Sequence, residues 1–583
     1  MWILQKETLP IMELSLSAFM STLFTSVNLY FPESVDPSLK TTNIPQSSVD
    51  DVYDFIIVGA GSAGCVVASR LTENPNWNVL LIEAGYDGDP ISDAPLLSWY
   101  TYNTEMDWNY TTVRQKNACL GRDGICSYPR GHVMGGSSTI NAMFYVRGNS
   151  LDYDGWAALG NAGWSYNDVL SYFIKSENNT EPSLENSLFH GTNGPQHVQF
   201  PNFVTPLREQ YVRAAEEFGW QRGDYNGERQ DVVGYVQATV NGPIRASTAR
   251  GYLDPVRNRK NLNVIKRSTV IRIIIDNKVA VGVEYYRDGS TYTVYARMEV
   301  ILSAGSINTP QLLMLSGIGP ADELERHNIS VVEDLPVGKY LQDHLLLQIY
   351  FEINGNDTLR SDVWETTGTI EEYTRNRSGP LISIGGETMA FFSTSNKSEQ
   401  PDMQFLWANI IPGMREPQHR NIMLILLSNV KPYSRGSVTL RSANWYDPPL
   451  IDPNYLSDQR DFEAFRTGVE YAFQYMKTPT MSKLEPVLYT ELQPGCQGMT
   501  MENFVPCVIS NYTATIFHPV GTARMGQGGD AVVNSSLQVY GINKLRVIDA
   551  SIMPFIVGGN TNAPTIMIGE KGSDIIKELY NGK

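Results

Sequence analysis

The sequence predicts an α/β unit joined to a second part built on a sheet, and three observations predict it. A near-continuous apolar run, Phe55-Ile56-Ile57-Val58, passes through a turn of small residues into a helical stretch and a second apolar run, Val79 to Ile82. The same order of strand, small residues and helix recurs from Glu299 to Leu315. From about residue 340 to 460 the pattern changes to short alternating runs broken by turn residues.

Residues 1–50 read as a leader and linker. Tyr53 to Val58 follows as a strand, since an unbroken apolar run suits a strand buried on both faces. Gly59-Ala60-Gly61-Ser62-Ala63-Gly64 makes the turn, Cys65 to Thr72 the helix, and Val79 to Ile82 a second strand ending at Glu83, which completes a βαβ unit. Glu299 to Leu302 is a further buried strand, with a helix from Thr309 to Leu315. The runs Leu346 to Ile353, Met403 to Trp407 and Met423 to Leu427 suggest a sheet with one face exposed. Asp461 to Met476 is helical by the spacing of Phe462, Phe465, Val469 and Phe473, and the last helix begins near Pro564.

A chain of 583 residues exceeds what one core usually serves, so two parts are expected. The boundaries drawn are 51–335 for the first, 336–510 for the second and 511–583 for a segment that returns to the first. Lys and Arg number 45 against 62 Asp and Glu, a net charge of −17 that opposes phosphate backbones and anionic lipid and argues against nucleic-acid binding. Leu14 to Tyr30, with Lys6 upstream, has the length of a secretory h-region, although Glu13 precedes it and Ser and Thr dilute it. The same polar residues disfavour a membrane-spanning helix. Glycosylation sequons start at Asn109, Asn178, Asn328, Asn356, Asn376, Asn396, Asn511 and Asn534, and Cys119/Cys126 and Cys496/Cys507 are each close enough to close a short loop, with Cys65 left as a small buried residue. These features favour a secreted, disulfide-bonded glycoprotein over a chain of five reduced thiols.

The glycine motif lies between strand and helix, where a dinucleotide needs it. Gly59 makes the turn, Gly61 admits the pyrophosphate to the backbone, and Gly64 lets helix and strand pack; the helix N-terminus then faces the phosphates, and Glu83 can accept from ribose hydroxyls. A second small-residue loop runs from Tyr128-Pro129-Arg130-Gly131 to Gly135-Gly136-Ser137-Ser138-Thr139-Ile140-Asn141, and a flavin with its ribityl–phosphate arm would fit such a surface. Val547-Ile548-Asp549 reads as a buried strand ending in an acid aimed at the nucleotide. His518, one of 7 histidines, stands in the glycine-rich stretch Phe517 to Gly526.

With these segments goes a set of ordered motifs: Glu83-Ala84-Gly85 after the first glycine turn, Gly305-Ser306-Ile307-Asn308-Thr309-Pro310, Gly338 to Asp343-His344, His518-Pro519, and Asn562-Ala563-Pro564-Thr565. The chain resembles the glucose–methanol–choline oxidoreductases over about Tyr53 to Ile576, and is most similar to insect members of glucose dehydrogenase-like, ecdysone oxidase-like or alcohol oxidase-like type. The resemblance implies an FAD-binding, Rossmann-like α/β domain interleaved with an α+β substrate domain on an antiparallel sheet. It implies FAD contacts from Gly59, Gly61, Ser62, Ala63, Gly64, Glu83 and Ala84, from Arg130, Gly135, Ser137 and Asn141, and from Val270, Asp549, Ala550, Asn562 and Thr565. Where some members attach FAD through a histidine, this chain has Ile140, which implies FAD held non-covalently by that route.

The same resemblance implies oxidation of an alcohol (sugar, ecdysteroid, terpenoid or aromatic) by proton abstraction and hydride transfer to flavin N5, with oxygen or a quinone as electron acceptor. His518 takes the base position. Asn562 is assigned the second position in preference to Asn560, because Thr565 and Gly569 fit the helix that follows. A neutral imidazole can accept the hydroxyl proton, and an amide can donate to the developing oxyanion. His132, where Lys or Arg is usual, and Lys339, where Asn is common, depart from the family pattern. A redox-silent FAD lyase of the same fold, a non-enzymatic relative and an NAD-dependent dehydrogenase stay open at this level. No metal site is expected.

Overall fold

The computed structural model describes residues 15–395, 400–410 and 420–580. Lys6, Glu13, Leu14 and the sequon at Asn396 lie outside the described residues. In chain order the elements that position the site are α1 (Leu16–Tyr30), β1 (Val52–Val58), α2 (Ser62–Leu71), β2 (Val79–Ile82), α3 (Ser137–Ile140), β3 (Val233–Tyr235), β4 (Leu262–Ile265), β5 (Ser268–Asp276), β6 (Val279–Arg287), β7 (Ser290–Leu302) and α4 (Gly305–Leu315). They continue with β8 (Leu345–Glu352), β9 (Gly386–Phe392), β10 (Met403–Ala408), β11 (Ile422–Asn429), α5 (Gln459–Tyr475), α6 (Met501–Tyr512), β12 (Leu545–Val547) and α7 (Asn562–Tyr580).

The first sheet runs β4-β2-β1-β7-β6-β5, with β12 paired to β7. The pairs β4–β2, β2–β1, β1–β7 and β7–β12 are parallel, whereas β5, β6 and the first half of β7 form antiparallel hairpins. The apolar run of β1 is buried because β2 and β7 pair with it on either side and α2 packs against it, so no residue from Phe55 to Ile57 meets water. Helix α7 returns at the end of the chain to pack on α2. Close approach is possible because Gly569 faces Val66 and the Ala63 carbonyl, where a Cβ would lie 2.9 and 3.1 Å from them, and Arg70–Glu570 ties the same helices at 2.7 Å.

The second sheet runs Val487–Leu488, β8, β11, β10, β9, β3, with Ala514–Thr515 on β8, and its pairs are antiparallel. Strand β3 comes from the stretch between the first sheet's own strands, so the two parts are interleaved. The expected exposed face is absent, since β9, β10 and β11 are buried at every residue. Met403, Phe405, Ile425 and Leu427 pack with Phe465 and Val469 of α5, while the alternating set, Gln404, Leu406, Leu426 and Ser428, lines an interior cavity. The polar residues that suggested a solvent face therefore face an internal space.

Both short-loop cysteine pairs are disulfides, and Cys65 is free and buried. The stretch with h-region length forms α1, which buries Phe19, Leu23 and Val27 against a cluster holding Leu97, Trp364, Tyr373 and Ile382. Among the described residues no helix is long and apolar enough to cross a membrane.

Candidate active site

The ends of β1, β2 and β7 meet the two glycine loops at one cavity of about 1620 Å³. Pockets for small ligands usually hold about 300–1,000 Å³, so this one has room for a dinucleotide and a second molecule. Gly59 has φ of +96°, and a Cβ there would lie 2.6 Å from the Ser303 carbonyl oxygen. Gly64 abuts the carbonyl of Gly59, where a Cβ would be 1.9 Å from oxygen. Gly61 differs, because its missing Cβ would point into open space with nothing nearer than 3.9 Å. That cradle, at the N-terminus of α2, suits a pyrophosphate pressed against backbone. The second loop closes on the first: a Cβ on Gly136 would lie 2.7 Å from Gly61 Cα, and the Gly135 amide donates to the Ala60 carbonyl at 2.7 Å.

Of the residues expected at a cofactor, Gly59, Gly61, Ser62, Ala63, Glu83 and Ala84 line this cavity from the first loop and β2, and Arg130, Ser137 and Asn141 from the second loop. Val270, Asp549, Ala550, Asn562 and Thr565 line it from β5 and the C-terminal segment. Gly64 and Gly135 do not line it and act through packing. Glu83 accepts from the amides of Ala60 at 2.7 Å and Gly85 at 2.8 Å, so its carboxylate clamps the loop; burial raises its pKa to about 7. Asp549 accepts from the Gly305 amide at 2.9 Å and Thr309 Oγ1 at 2.7 Å, which fixes the start of α4. Asn141 is held by Arg245, whose buried guanidinium donates to its Oδ1 at 2.8 Å and its carbonyl at 2.6 Å. His132 lines the cavity with its ring 4.3 Å from that of Trp108. Lys339 is exposed and outside the cavity, so the two departures from the family pattern differ in kind.

His518 lines the same cavity. Its backbone amide donates to Asp343 Oδ1 at 2.7 Å. Asp343 also accepts from Tyr128 Oη at 2.8 Å, Thr515 Oγ1 at 2.6 Å and the Tyr455 hydroxyl. Phe517 sits at φ of +70°, a strained conformation for a bulky residue. Arg130 holds it there by donating to its carbonyl at 2.6 Å, while the Phe517 amide donates to Thr515 Oγ1 at 2.7 Å.

The imidazole of His518 has one side chain on each nitrogen. Its Nδ1 is 3.0 Å from His344 Nδ1, and its Nε2 is 3.3 Å from Asn560 Nδ2. These partners assign the tautomers. His344 Nε2 lies 3.2 Å from the Val430 carbonyl, which only accepts, so Nε2 carries the hydrogen. Burial, with Lys431 nearby, pushes His344 down to about 3, so it is neutral and its Nδ1 is bare. His518 Nδ1 must then donate, which leaves His518 Nε2 bare toward the Asn560 amide. Gln404 Nε2, 3.3 Å from Asn560 Oδ1, orients that amide with its N–H toward the histidine. Burial, His344 and Arg130 all hold the pKa of His518 well below the usual imidazole range.

The two asparagines differ in what they touch. Asn560, in the loop before α7, meets His518, whereas Asn562 opens the helix and accepts from Ser62 Oγ at 2.8 Å. The helical phase of Thr565 and Gly569 located the helix correctly. Asn562, on its first turn, bonds Ser62 of the glycine loop, and His518 is reached from two residues earlier. Reading the sequence also left His344, Asp343, Gln404 and Arg245 without roles. The Asp343-His344 pair was the one available signal, since partners from other strands leave no local pattern.

Residues 53–346 and 432–569 match the family models described as GMC oxidoreductase. The chain is 37% identical over 569 residues to the "Glucose dehydrogenase [FAD, quinone]" of Drosophila melanogaster, covering 94% of this chain and 90% of that protein. It is 38% identical over 539 residues to the "Alcohol dehydrogenase [acceptor]" of Pseudomonas putida, covering 90% and 96%. Among solved structures, the formate oxidase of Aspergillus oryzae RIB40 superposes with a TM-score of 0.83 at 28% identity, over 92% of this chain and 100% of that one. The matched spans, over a chain whose one cavity is lined by both the glycine loop and His518, place it in the GMC oxidoreductase family.

Proposed function

We infer that this chain is an FAD-dependent oxidoreductase that converts an alcohol to an aldehyde or ketone. The observation that carries the reading is the His344–His518–Asn560 chain, which leaves one unprotonated nitrogen and one amide donor facing a cavity that also holds the glycine cradle. FAD bound in that cradle supplies the hydride acceptor. His518 Nε2 takes the hydroxyl proton, which raises electron density on the carbinol oxygen and loosens the C–H bond. Asn560 Nδ2 donates to the same oxygen as its charge develops. Asp343, through the His518 amide, and Arg130, through the Phe517 carbonyl, keep the imidazole in place.

We assign the FAD side to residues 51–335 and 511–583 and the substrate side to 336–510, with Val233–Tyr235 and Ala514–Thr515 as strands that cross into the second sheet. The name of the Drosophila relative supports a quinone as acceptor, with oxygen the other candidate. Relatives named as dehydrogenases and oxidases give the redox-silent lyase no support. Two disulfides and the sequons support export. The experiment is anaerobic mixing of His518→Ala with an alcohol that bleaches the wild-type flavin. The variant should keep its yellow colour in purification and lose bleaching; bleaching at the wild-type rate removes His518 from the base role.

A further inference from the structure

We propose that the ion pair Asp152–Lys431, which lies outside the cavity, positions the His344–His518–Asn560 chain: Asp152 fixes the loop that carries Asn560, and Lys431 keeps His344 in the neutral form that accepts from His518. The inference rests on the alcohol-oxidising reading and adds two positioning residues to it.

Asp152 is fully buried on the first turn of the helix Ser150–Ala158 and does not line the cavity. Part of its bonding is local, since Oδ2 accepts from the Asn149 amide at 2.8 Å and closes the capping box of that helix. The rest goes to distant segments. Oδ2 also accepts from the Gly558 amide at 2.6 Å, while Oδ1 accepts from Gln400 Nε2 at 2.6 Å and pairs with Lys431 Nζ. A helix cap needs none of these three. Gly558 stands two residues before Asn560, and its carbonyl accepts from Gln230 Nε2. At Gly559 a Cβ would lie 2.5 Å from Val146 Cγ1, so the backbone there is closely packed as well. The path of the loop into Asn560 is therefore set at Gly558, by Asp152 at the amide and Gln230 at the carbonyl.

Lys431 follows Val430, whose carbonyl accepts from His344 Nε2 at 3.2 Å, and its positive charge acts on that imidazole. The other ionisable groups around the two rings are Arg130, whose charge acts on His518, and Asp343, which accepts from the His518 amide. A second proton on His344 would sit on Nδ1 and donate to His518 Nδ1, 3.0 Å away. His518 would then carry its hydrogen on Nε2 and could not take a proton from the alcohol. A cation beside His344 opposes that second proton. One ion pair thus reaches both ends of the chain, through Gly558 toward Asn560 and through Val430 toward His344. Without Lys431, Asp152 keeps three N–H donors; without Asp152, Lys431, 19% exposed, can turn to water. The pair can be taken apart one side at a time.

The test is anaerobic stopped-flow reduction of the purified holoenzyme by whichever of geraniol, benzyl alcohol, D-glucose and choline bleaches the wild-type flavin fastest. Asp152→Asn should slow the limiting rate about tenfold or more by misplacing the Asn560 amide. Combined with Asn560→Ala it should add nothing to the loss caused by Asn560→Ala alone, because both act through one donor. Losses that multiply in full overturn the role of Asp152. Should Asp152→Asn fail to hold FAD, Gln230→Leu, which frees the Gly558 carbonyl, tests the same loop in the same cycle. Lys431→Met should move the acid limb of reduction to higher pH by about one unit or more, since a protonated His344 blocks the base. Lys431→Arg, which keeps the charge, should leave the limb at the wild-type pH. A limb that Lys431→Met does not move overturns the role of Lys431. If none of the four alcohols bleaches the wild-type flavin, the alcohol-oxidising reading falls and this proposal with it.

Discussion

The base role proposed for His518 rests on what surrounds the ring rather than on its being a histidine. Its folded-state pKa is depressed, so the bare form persists above that lowered value and is lost only as pH falls through it. The reduction rate constant should therefore stay level from about pH 8 to below 6.5, the unperturbed value. An acid limb centred at 6.5 or higher in anaerobic flavin reduction would show that the ring titrates freely. The two asparagines separate in the same assay. Asn560→Ala should slow reduction by about 10²–10³-fold, or about 2.7–4 kcal/mol, by removing one oxyanion donor. Asn562→Ala should leave the rate close to wild type and weaken retention of FAD, because that side chain holds Ser62 at the glycine cradle. The reverse order would favour Asn562 for the second position. The difference between the two was not legible in the sequence. Two asparagines two residues apart before a helix are equivalent locally, and only the loop's path past His518 distinguishes them.

At the scale of elements, the site is assembled where secondary structure ends. The loop closed by Cys119–Cys126 leads directly into Ser127–Tyr128, and the Tyr128 hydroxyl bonds Asp343, which holds the His518 amide. A disulfide across such a short loop contributes about 2.5 kcal/mol by restricting the unfolded chain. Replacing both cysteines by serine should lower the urea midpoint accordingly, and should slow flavin reduction if the Tyr128–Asp343 contact loosens. An unchanged midpoint would mean the loop is ordered by its other bonds. The second sheet carries a related lesson. Alternation along β8, β10 and β11 was legible, but alternation only separates two environments and does not say which is water. Here both faces are covered, one by α5 and one by the cavity wall.

For the whole molecule, one cavity spans both parts of an interleaved chain, so cofactor and substrate contribute to how the parts hold together. The glycine cradle, Asp549 and Thr565 come from segments some 500 residues apart in sequence, from Gly59 to Thr565. FAD binding should then stabilise the entire fold. With free FAD at 100 times Kd the gain is about 2.7 kcal/mol. Stripping FAD should lower the Tm in calorimetry and adding it back should restore the transition, whereas a Tm indifferent to FAD would place the cofactor outside the cooperative unit.

Taken by itself, the sequence determined the βαβ start, the glycine positions, the helices α5 and α7 and the short-loop cysteine pairs. Each depends on residues close together in the chain, and periodicity or turn chemistry expresses it directly. The tertiary structure alone decided that Asn560 meets His518, that His344 sets its tautomer, that Arg245 holds Asn141, that the second sheet faces inward, and that the stretch resembling a leader packs as α1. These are contacts between segments hundreds of residues apart or a choice between two buried surfaces. The free energy that selects them is the burial of side chains against partners that no local pattern can name.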